Sequence, residues 1–213
     1  MTNLLQLLCE KYPLSERPAG DFSSFSVNGM TFLTKGYDAE GLGNVSSMEA
    51  EGFGGAMKMV SLIVNPFNVD APLFSLDRIQ TMGTDTLIME LYDTCLSPER
   101  KETLFYVIQE ACRDLPDSEK KENWYDDLLY NCSLHKKGSA QDKDRLNAVV
   151  NQYWNCYLDL LTSSPACDAV QKKAKADLYS NGLLSHGGPA TDTFLNTWGP
   201  EKTRAFFRDV LFG

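Results

Sequence analysis

The chain has 213 residues, of which 43% are hydrophobic and 11% aromatic, so it can bury a sizeable core as a single domain spanning residues 1–213. Its 20 basic and 29 acidic residues give a net charge of −9, which argues against nucleic acid as a main partner. No stretch approaches the roughly 20 continuous apolar residues that cross a bilayer, and the first residues lack the basic flank of a signal peptide. We therefore expect a soluble, cytoplasmic protein with no membrane partner.

The first half of the chain is predicted to be one helix followed by an antiparallel meander. The helix covers residues 3–11, with leucines along one side. Asn28-Gly29 separates two apolar runs, which is typical of a two-residue hairpin. Further short connections at residues 52–55, 66–72 and 83–85 permit antiparallel pairing only, because parallel neighbours need a long crossover. We predict five or six strands.

The second half has mainly helical periodicity. Helices are predicted over residues 99–113, 144–161, 192–198 and 201–212, and the segment 124–134 either fits a helix or ends as an edge strand. Tyr153, Trp154 and Tyr157 lie on one side of the second of these helices, where we expect them to face the sheet. Strands followed by helices predict an α+β domain whose helices cover the sheet.

The dispersed cysteines and histidines do not suggest a metal centre. No two of the six cysteines have C-x-x-C spacing, and there are only two histidines, His135 and His186. With no secretory signal in a chain of this size, the cysteines are expected to be reduced. The chain also lacks the glycine-rich motifs of dinucleotide and phosphate binding and the G-x-S-x-G motif of serine hydrolases.

Asp77 is the strongest candidate for a chemical role. It lies among Phe74, Leu76 and Ile79, where an unpaired charge is costly and partial burial raises the pKa of a carboxyl group. Such a group suits proton donation. Two alternatives remain open from the sequence: an ion pair with Arg78, or hydrogen bonds to nearby backbone.

Strand alternation suggests partners for Asp77. If the turn at residues 52–55 centres on residue 55 and the next connection on residue 69, Glu49, Ser61 and Asp77 form a row across three strands. Two carboxylates and a hydroxyl on an apolar face suit proton delivery to a bound substrate. The alternative is that Glu49 and Glu51 simply mark a solvated face, because a one-residue slip in either hairpin removes the row.

The order of several motifs resembles the ferredoxin-dependent bilin reductases, a family related to red chlorophyll catabolite reductase. The similar segments are SME at residues 47–49, VSLIV at 60–64, DAPLFSLD at 70–77, LSP at 96–98, WYDD at 124–127, and the ending from WG at 198–199 to VLF at 210–212. Together they extend over most of the chain.

The resemblance implies a three-layer α/β/α sandwich with a central antiparallel sheet and a bilin held between the sheet and the C-terminal helices. It implies an oxidoreductase acting on CH–CH groups, which reduces a biliverdin-like tetrapyrrole by proton-coupled single-electron transfers through substrate radicals. Asp77 matches the family's central proton-donating aspartate, and Glu49 matches a glutamate on an earlier strand. Reduced ferredoxin or flavodoxin would supply the electrons, with no bound cofactor.

The resemblance also suggests which residues bind substrate, and it has departures. The expected substrate-binding residues are Ser61, Ser47, Met59, Ile63, His186 and Asp192. Ser61 stands where family members carry His or Asn, and the C-terminal acid of several members falls near Gly188, where His186 or Asp192 is the nearest substitute. These departures keep open a tetrapyrrole carrier without redox chemistry, and an interaction domain in which Asp77 is structural.

Docking of an acidic ferredoxin on this acidic chain requires a local basic patch. The candidate residues are Lys172, Lys173, Lys175, Lys202 and Arg204.

Overall fold

Apolar runs separated by short turns form one antiparallel sheet at the centre of the molecule. The computed structural model describes residues 2–99, 101–119 and 122–213, and this part of the chain contains eight strands in the order β1-β3-β4-β5-β6-β7-β8, with β2 also paired to β3. The strands are β1 (Leu14–Arg17), β2 (Ser24–Val27), β3 (Met30–Ala39), β4 (Gly43–Gly52), β5 (Met57–Pro66), β6 (Leu73–Thr81), β7 (Thr84–Tyr92) and β8 (Leu134–Gly138).

Helices cover both faces of the sheet, which makes an α/β/α sandwich. The helices are α1 (Thr2–Cys9), α2 (Tyr106–Ala111), α3 (Lys143–Ser163), α4 (Ala169–His186), α5 (Pro189–Trp198) and α6 (Pro200–Phe206). The first three pack on one face, here called the α3 face, and the last three pack on the other, here called the α4 face. The predicted α+β class, antiparallel sheet and three layers are confirmed.

The α3 face is sealed by the aromatic stripe that the sequence predicted. Tyr153, Trp154 and Tyr157 are buried against Phe74 of β6, with ring centroids 6.0, 5.4 and 4.8 Å from that of Phe74. The Tyr157 hydroxyl donates a hydrogen bond of 2.9 Å to the carbonyl of Pro72, so this buried polar atom is satisfied.

The end of the chain is fastened to the α4 face by buried amides and a hydroxyl. Asn44 Nδ2 and Ser46 Oγ donate to the carbonyl of Leu211, at 2.8 and 2.9 Å, and Asn65 Nδ2 donates to that of Phe212 at 2.9 Å. A π-helical turn, Phe207–Leu211, follows α6 and carries these carbonyls to β4 and β5. The polar side chains thus close one end of the α4 face.

Several predicted elements need correction. The sheet has eight described strands rather than five or six, because β1 and β8 add its two edges. The segment 124–134 forms no α-helix: Asp126–Leu128 is a 3-10 turn, and the segment ends at Leu134, where the edge strand β8 begins, as the strand alternative predicted. The hairpin at Asn28-Gly29 is confirmed, with φ angles of 51° and 78° at these residues.

The helical predictions also differ in extent. The helix predicted over residues 99–113 is reduced to a 3-10 turn, Glu102–Phe105, and α2; Arg100, within that prediction, lies outside the described residues. Helix α1 ends at Cys9 and not at residue 11, and the predicted C-terminal helix is divided into α6 and the π-helical turn. Helix α4 was not predicted as an element, because its apolar residues form no continuous stripe.

A buried ion pair links β6 to β7 on the α3 face and gives a test of the packing. Arg78 binds Asp85 through two bonds of 2.8 and 2.6 Å, and it also donates to Asn147 of α3. The side chains of Arg78 and Asp85 are only 12% and 4% exposed. We expect Asp85→Asn to lower the free energy of unfolding by about 3 kcal/mol, because it leaves a buried guanidinium without its counter-charge. Urea unfolding measures this loss.

The exposed pair of Glu51 and Lys58 is the matched control. Its nitrogen–oxygen distance is 3.6 Å and both side chains are more than half exposed. Glu51→Gln should cost less than about 1 kcal/mol. Equal costs for the two variants would contradict a special role for the buried pair.

Candidate functional site

Asp77 lies in the middle of β6, on the α4 face, directly opposite Ser61 of β5. The Ser61 hydroxyl donates a hydrogen bond to Asp77 Oδ1. This cross-strand pair was predicted from the connection centred on residue 69, and it is confirmed. The alternative ion pair with Arg78 is wrong, because Arg78 points to the α3 face and binds Asp85.

Glu49 is not part of this arrangement, so the predicted row is wrong. The structure pairs Glu49 with Val60 and places Met48 opposite Ser61. The four-residue connection between Gly52 and Met57 centres between residues 54 and 55, half a residue earlier than assumed, and this shifts the register by one residue. Glu49 is exposed on the face opposite to Asp77.

Ser47 lies on the same face as Glu49, away from Asp77, because both residues alternate with Met48 along β4. It is buried on the α3 face, paired with Leu62 and Lys35. Met59 and Ile63 alternate with Val60 and Leu62 on β5, and they lie on the same face as Ser61 and Asp77.

The surroundings of Asp77 favour its protonated form. Burial is the largest effect, and together with the nearby charge of Glu90 it outweighs the Ser61 hydrogen bond, raising the pKa of Asp77 to about 6. The side chain nevertheless keeps partial exposure to solvent. Asp77 therefore combines a raised pKa with access from outside, as a proton donor requires.

The two faces of the sheet differ around Asp77. On the α3 face, the alternating residues of β6 and β7 from Phe74 to Leu76 and from Asp85 to Leu91 are buried. On the α4 face, a contiguous patch across β5 to β8 remains partly exposed. We call it the open face; its members are Met57, Met59, Ile63, Ser75, Asp77, Ile79, Thr86, Ile88 and His135. The helices α4–α6 bury the neighbouring part of this face on β2–β4.

Glu90 is the second acid of the site, and the sequence reasoning missed it. It is buried on β7, opposite Ser75 and therefore diagonal to Asp77. The Tyr92 hydroxyl donates to Glu90 Oε2, and Nε2 of His135 on β8 lies 2.9 Å from Glu90 Oε1. The signal available in the sequence was side-chain alternation, which places Glu90 and Tyr92 on the same face of their strand. Nothing in the local sequence indicated that a strand containing His135 would pair beside that strand.

Aromatic side chains border the two acids. The rings of Tyr92 and Tyr179 lie 4.2 Å apart, and Tyr125 contacts both at 5.7 and 5.8 Å. Burial raises the pKa of each of these phenols, and the charges of Glu90 and Asp77 raise those of Tyr125 and Tyr179 further. The three hydroxyls thus keep their protons over the physiological range.

His186 and Asp192 lie farther out, at the junction of α4 and α5. The His186 ring packs 5.4 Å from that of Trp124, whose Nε1 donates to the carbonyl of Gly187 at 3.0 Å. Asp192 is exposed and accepts a bond of 3.3 Å from the backbone of Gly188. The described contacts of both residues are therefore with this junction and with Trp124, and a substrate-binding role stays a prediction.

The site offers groups that can take up and release protons, and the described residues provide neither a metal-binding cluster nor a membrane-spanning helix. Among residues 2–99, 101–119 and 122–213, no cluster of three or more His, Cys, Asp or Glu side chains is arranged to hold a metal ion. A small cavity lined by Asp70, Cys95 and Tyr130 lies beyond the Tyr92 end of β7, away from Asp77. None of the helices in the described part of the chain has the length and apolar character to cross a membrane.

Comparison with known proteins supports the fold. A crystal structure of selenomethionine-labelled phytochromobilin synthase from tomato, in complex with biliverdin, superposes with a TM-score of 0.70 and 14% sequence identity over 95% of this chain and 83% of that chain. No protein-family model matches the sequence. No curated protein matches it either. The likeness is one of fold.

The raised pKa of Asp77 has a consequence for stability. Because this pKa of about 6 lies above that of the same group in an unfolded chain, the folded state holds the proton more tightly. The contribution of the protonated acid is fully present below pH ~4 and is lost as the pH rises through about 6. We expect Asp77→Asn to stabilise the fold by about 1–2 kcal/mol at pH 8 and by much less at pH 4.

Chemical unfolding at the two pH values measures this difference. Asp21→Asn, a change in the 3-10 turn Gly20–Phe22 away from the site, controls for the loss of one negative charge. An Asp77→Asn effect that is the same at pH 4 and pH 8 would contradict the raised pKa.

Proposed function

We propose that this protein is an oxidoreductase that reduces an open-chain tetrapyrrole, such as a biliverdin-like bilin, on the open face around Asp77. The observation that carries the proposal is the Asp77 carboxyl group, held by Ser61 in the middle of a partly exposed apolar face, where burial raises its pKa. The fold that presents it is similar to that of a phytochromobilin synthase in complex with biliverdin. The motif order of the sequence supports the same family.

The chemistry of the substrate fits these groups. Reduction of one carbon–carbon double bond takes two electrons and two protons, and each added electron makes the conjugated pigment basic enough to take up a proton. Asp77 would bind the pigment in its protonated form, through its O–H, and give that proton to the reduced pigment, which leaves a carboxylate. Met59, Ile63 and Ile79 would contact the apolar ring system.

The electrons would come singly from reduced ferredoxin or flavodoxin, with the substrate passing through radical states. The protein itself would hold the pigment, limit its contact with water and supply protons. Glu49, which lies on the other face, has no part in this proposal; Asp77 is the proposed catalytic residue, with Ser61 holding its carboxyl group in place.

The direct test is anaerobic incubation with biliverdin, ferredoxin and a reducing system, followed by absorption spectroscopy. We expect the pigment band to shift on binding and then to bleach. Asp77→Asn should retain the binding shift and slow bleaching by about 100-fold or more, because the general acid is lost.

Glu49→Gln is the matched control, since it changes a carboxylate on the opposite face of the same sheet. It should bleach the pigment at the wild-type rate. A coloured complex that ferredoxin does not bleach would favour a tetrapyrrole carrier. Failure to bind any linear tetrapyrrole would end both interpretations, and full activity of Asp77→Asn would remove this residue from the mechanism.

The basic patch proposed for docking of ferredoxin needs revision. Lys172 is fully buried and donates to Thr94 Oγ1 at 2.9 Å, so its predicted part in the patch is wrong. Lys173 is paired with Asp177, Lys175 with Asp93 and Arg204 with Glu201, while Lys202 lies above the Trp198 ring. The two α6 cations, Lys202 and Arg204, are the better candidates because they are exposed, whereas Lys173 and Lys175 are partly buried.

We expect ferredoxin-driven bleaching to slow as salt is raised from about 0.05 to about 0.5 M, because salt screens the docking of an acidic partner on cations. The double variant Lys202→Gln, Arg204→Gln should lose most of this salt dependence. Arg113→Gln, at an exposed site on the opposite side of the molecule, should retain it. A salt-independent wild-type rate would contradict electrostatic docking.

A further inference from the structure

Glu90 and His135 form a pair that links the Asp77 site to the edge of the sheet. Nε2 of His135 lies 2.9 Å from Glu90 Oε1. The other carboxylate oxygen, Oε2, accepts the Tyr92 hydroxyl. Tyr92 therefore holds Oε2 and leaves Oε1 beside His135, whose buried Nε2 makes no hydrogen bond in this orientation, so the imidazole has to rotate slightly to pass a proton.

The pair has one end in the site and one end near solvent. Glu90 is diagonal to Asp77 on the adjacent strand, and its charge contributes to the raised pKa of Asp77. The Glu90 side chain is 9% exposed, whereas 18% of the His135 side chain remains exposed on β8, the last strand of the described sheet. The three groups thus follow neighbouring strands from the centre of the open face outward.

The stoichiometry of the proposed reduction creates a need for such a path. Each double bond takes up two protons, but Asp77 holds one, and a pigment bound over the centre of the open face would separate Asp77 from bulk water while leaving the β8 edge accessible. We propose that Glu90 and His135 relay a proton to Asp77 between the two protonations. This inference rests on the proposed function and specifies how the site is recharged.

The relay moves protons only. After Asp77 has given its proton to the reduced pigment, neutral His135 passes its Nε2 proton to Glu90 Oε1 while its other ring nitrogen, Nδ1, takes a proton from solvent. Glu90 passes a proton to the Asp77 carboxylate through a bridging water. The imidazole is then reset by turning over and exchanging its proton with solvent. One proton enters at His135 for each that Asp77 gives up, and the electrons come from the external donor.

Other groups facing the pair do not provide an equivalent route. Tyr92, Tyr125 and Tyr179 border Glu90, and burial raises the pKa of each phenol, so they do not release protons to it. Tyr92 also holds the carboxylate through its hydrogen bond. Ser61 faces Asp77 as a hydrogen-bond donor. In the described part of the chain, His135 is the histidine that reaches this network.

The test is single-turnover reduction of bound biliverdin, followed by absorption and electron paramagnetic resonance. In His135→Ala, we expect the first protonation to proceed at the wild-type rate; in Glu90→Gln it should be slightly slower, because loss of the Glu90 charge lowers the pKa of Asp77. The second should be slowed at least tenfold, so that a substrate radical accumulates. Added imidazole should restore the second step in His135→Ala in proportion to its concentration, which a purely structural defect would not show.

Lys137→Gln is the control, because Lys137 is an exposed residue two positions along β8 on the same face. It should behave as wild type, and the pigment-binding spectrum checks that each variant is folded. Unchanged second steps in both relay variants, with wild type bleaching normally, would overturn the relay alone. A slowed His135→Ala step that imidazole does not restore would also overturn it. No bleaching by the wild type would overturn the proposed reduction and the relay with it.

Discussion

The desolvated carboxyl group of Asp77 is the feature on which the functional interpretation depends. It lies on a central strand between apolar neighbours, held by the Ser61 hydroxyl and influenced by the charge of Glu90. Water would lower the pKa of this group, and full burial would remove it from any substrate. The arrangement works because Phe74 and Leu76 of β6 are buried on the α3 face, whereas Ser75, Asp77 and Ile79 keep partial exposure on the α4 face.

The fold produces this asymmetry through the placement of its two helical layers. Helix α3 packs three large aromatic side chains against Phe74 and covers this part of the α3 face. The buried ion pair of Arg78 and Asp85 links β6 to β7 on the same face. On the other face, the C-terminal carbonyls are bound by Asn44 and Asn65 at one end of the sheet. The helices therefore cover β2–β4 and leave the open face across β5–β8, where the acids lie.

The fold class and the central pair could be predicted from the sequence, whereas the second acid could not. Short connections dictated antiparallel pairing, and a symmetric connection centred on residue 69 placed Ser61 opposite Asp77. The turn before β5 contains Phe53, Gly54 and Gly55 with positive φ angles, and its true centre lies half a residue from the assumed one. That small difference places Met48, and not Glu49, opposite Ser61. The pairing of β7 with β8, which is remote in sequence, brings His135 next to Glu90.

The most direct test of the central claim is a titration of the Asp77 carboxyl carbon by nuclear magnetic resonance, with its signal assigned by comparison with Asp77→Asn. The pKa is expected to lie near 6, well above that of an ordinary aspartate. A midpoint near 4 would mean that Asp77 is solvated and ionised at neutral pH. That result would contradict the interpretation of the open face as a proton-donating site.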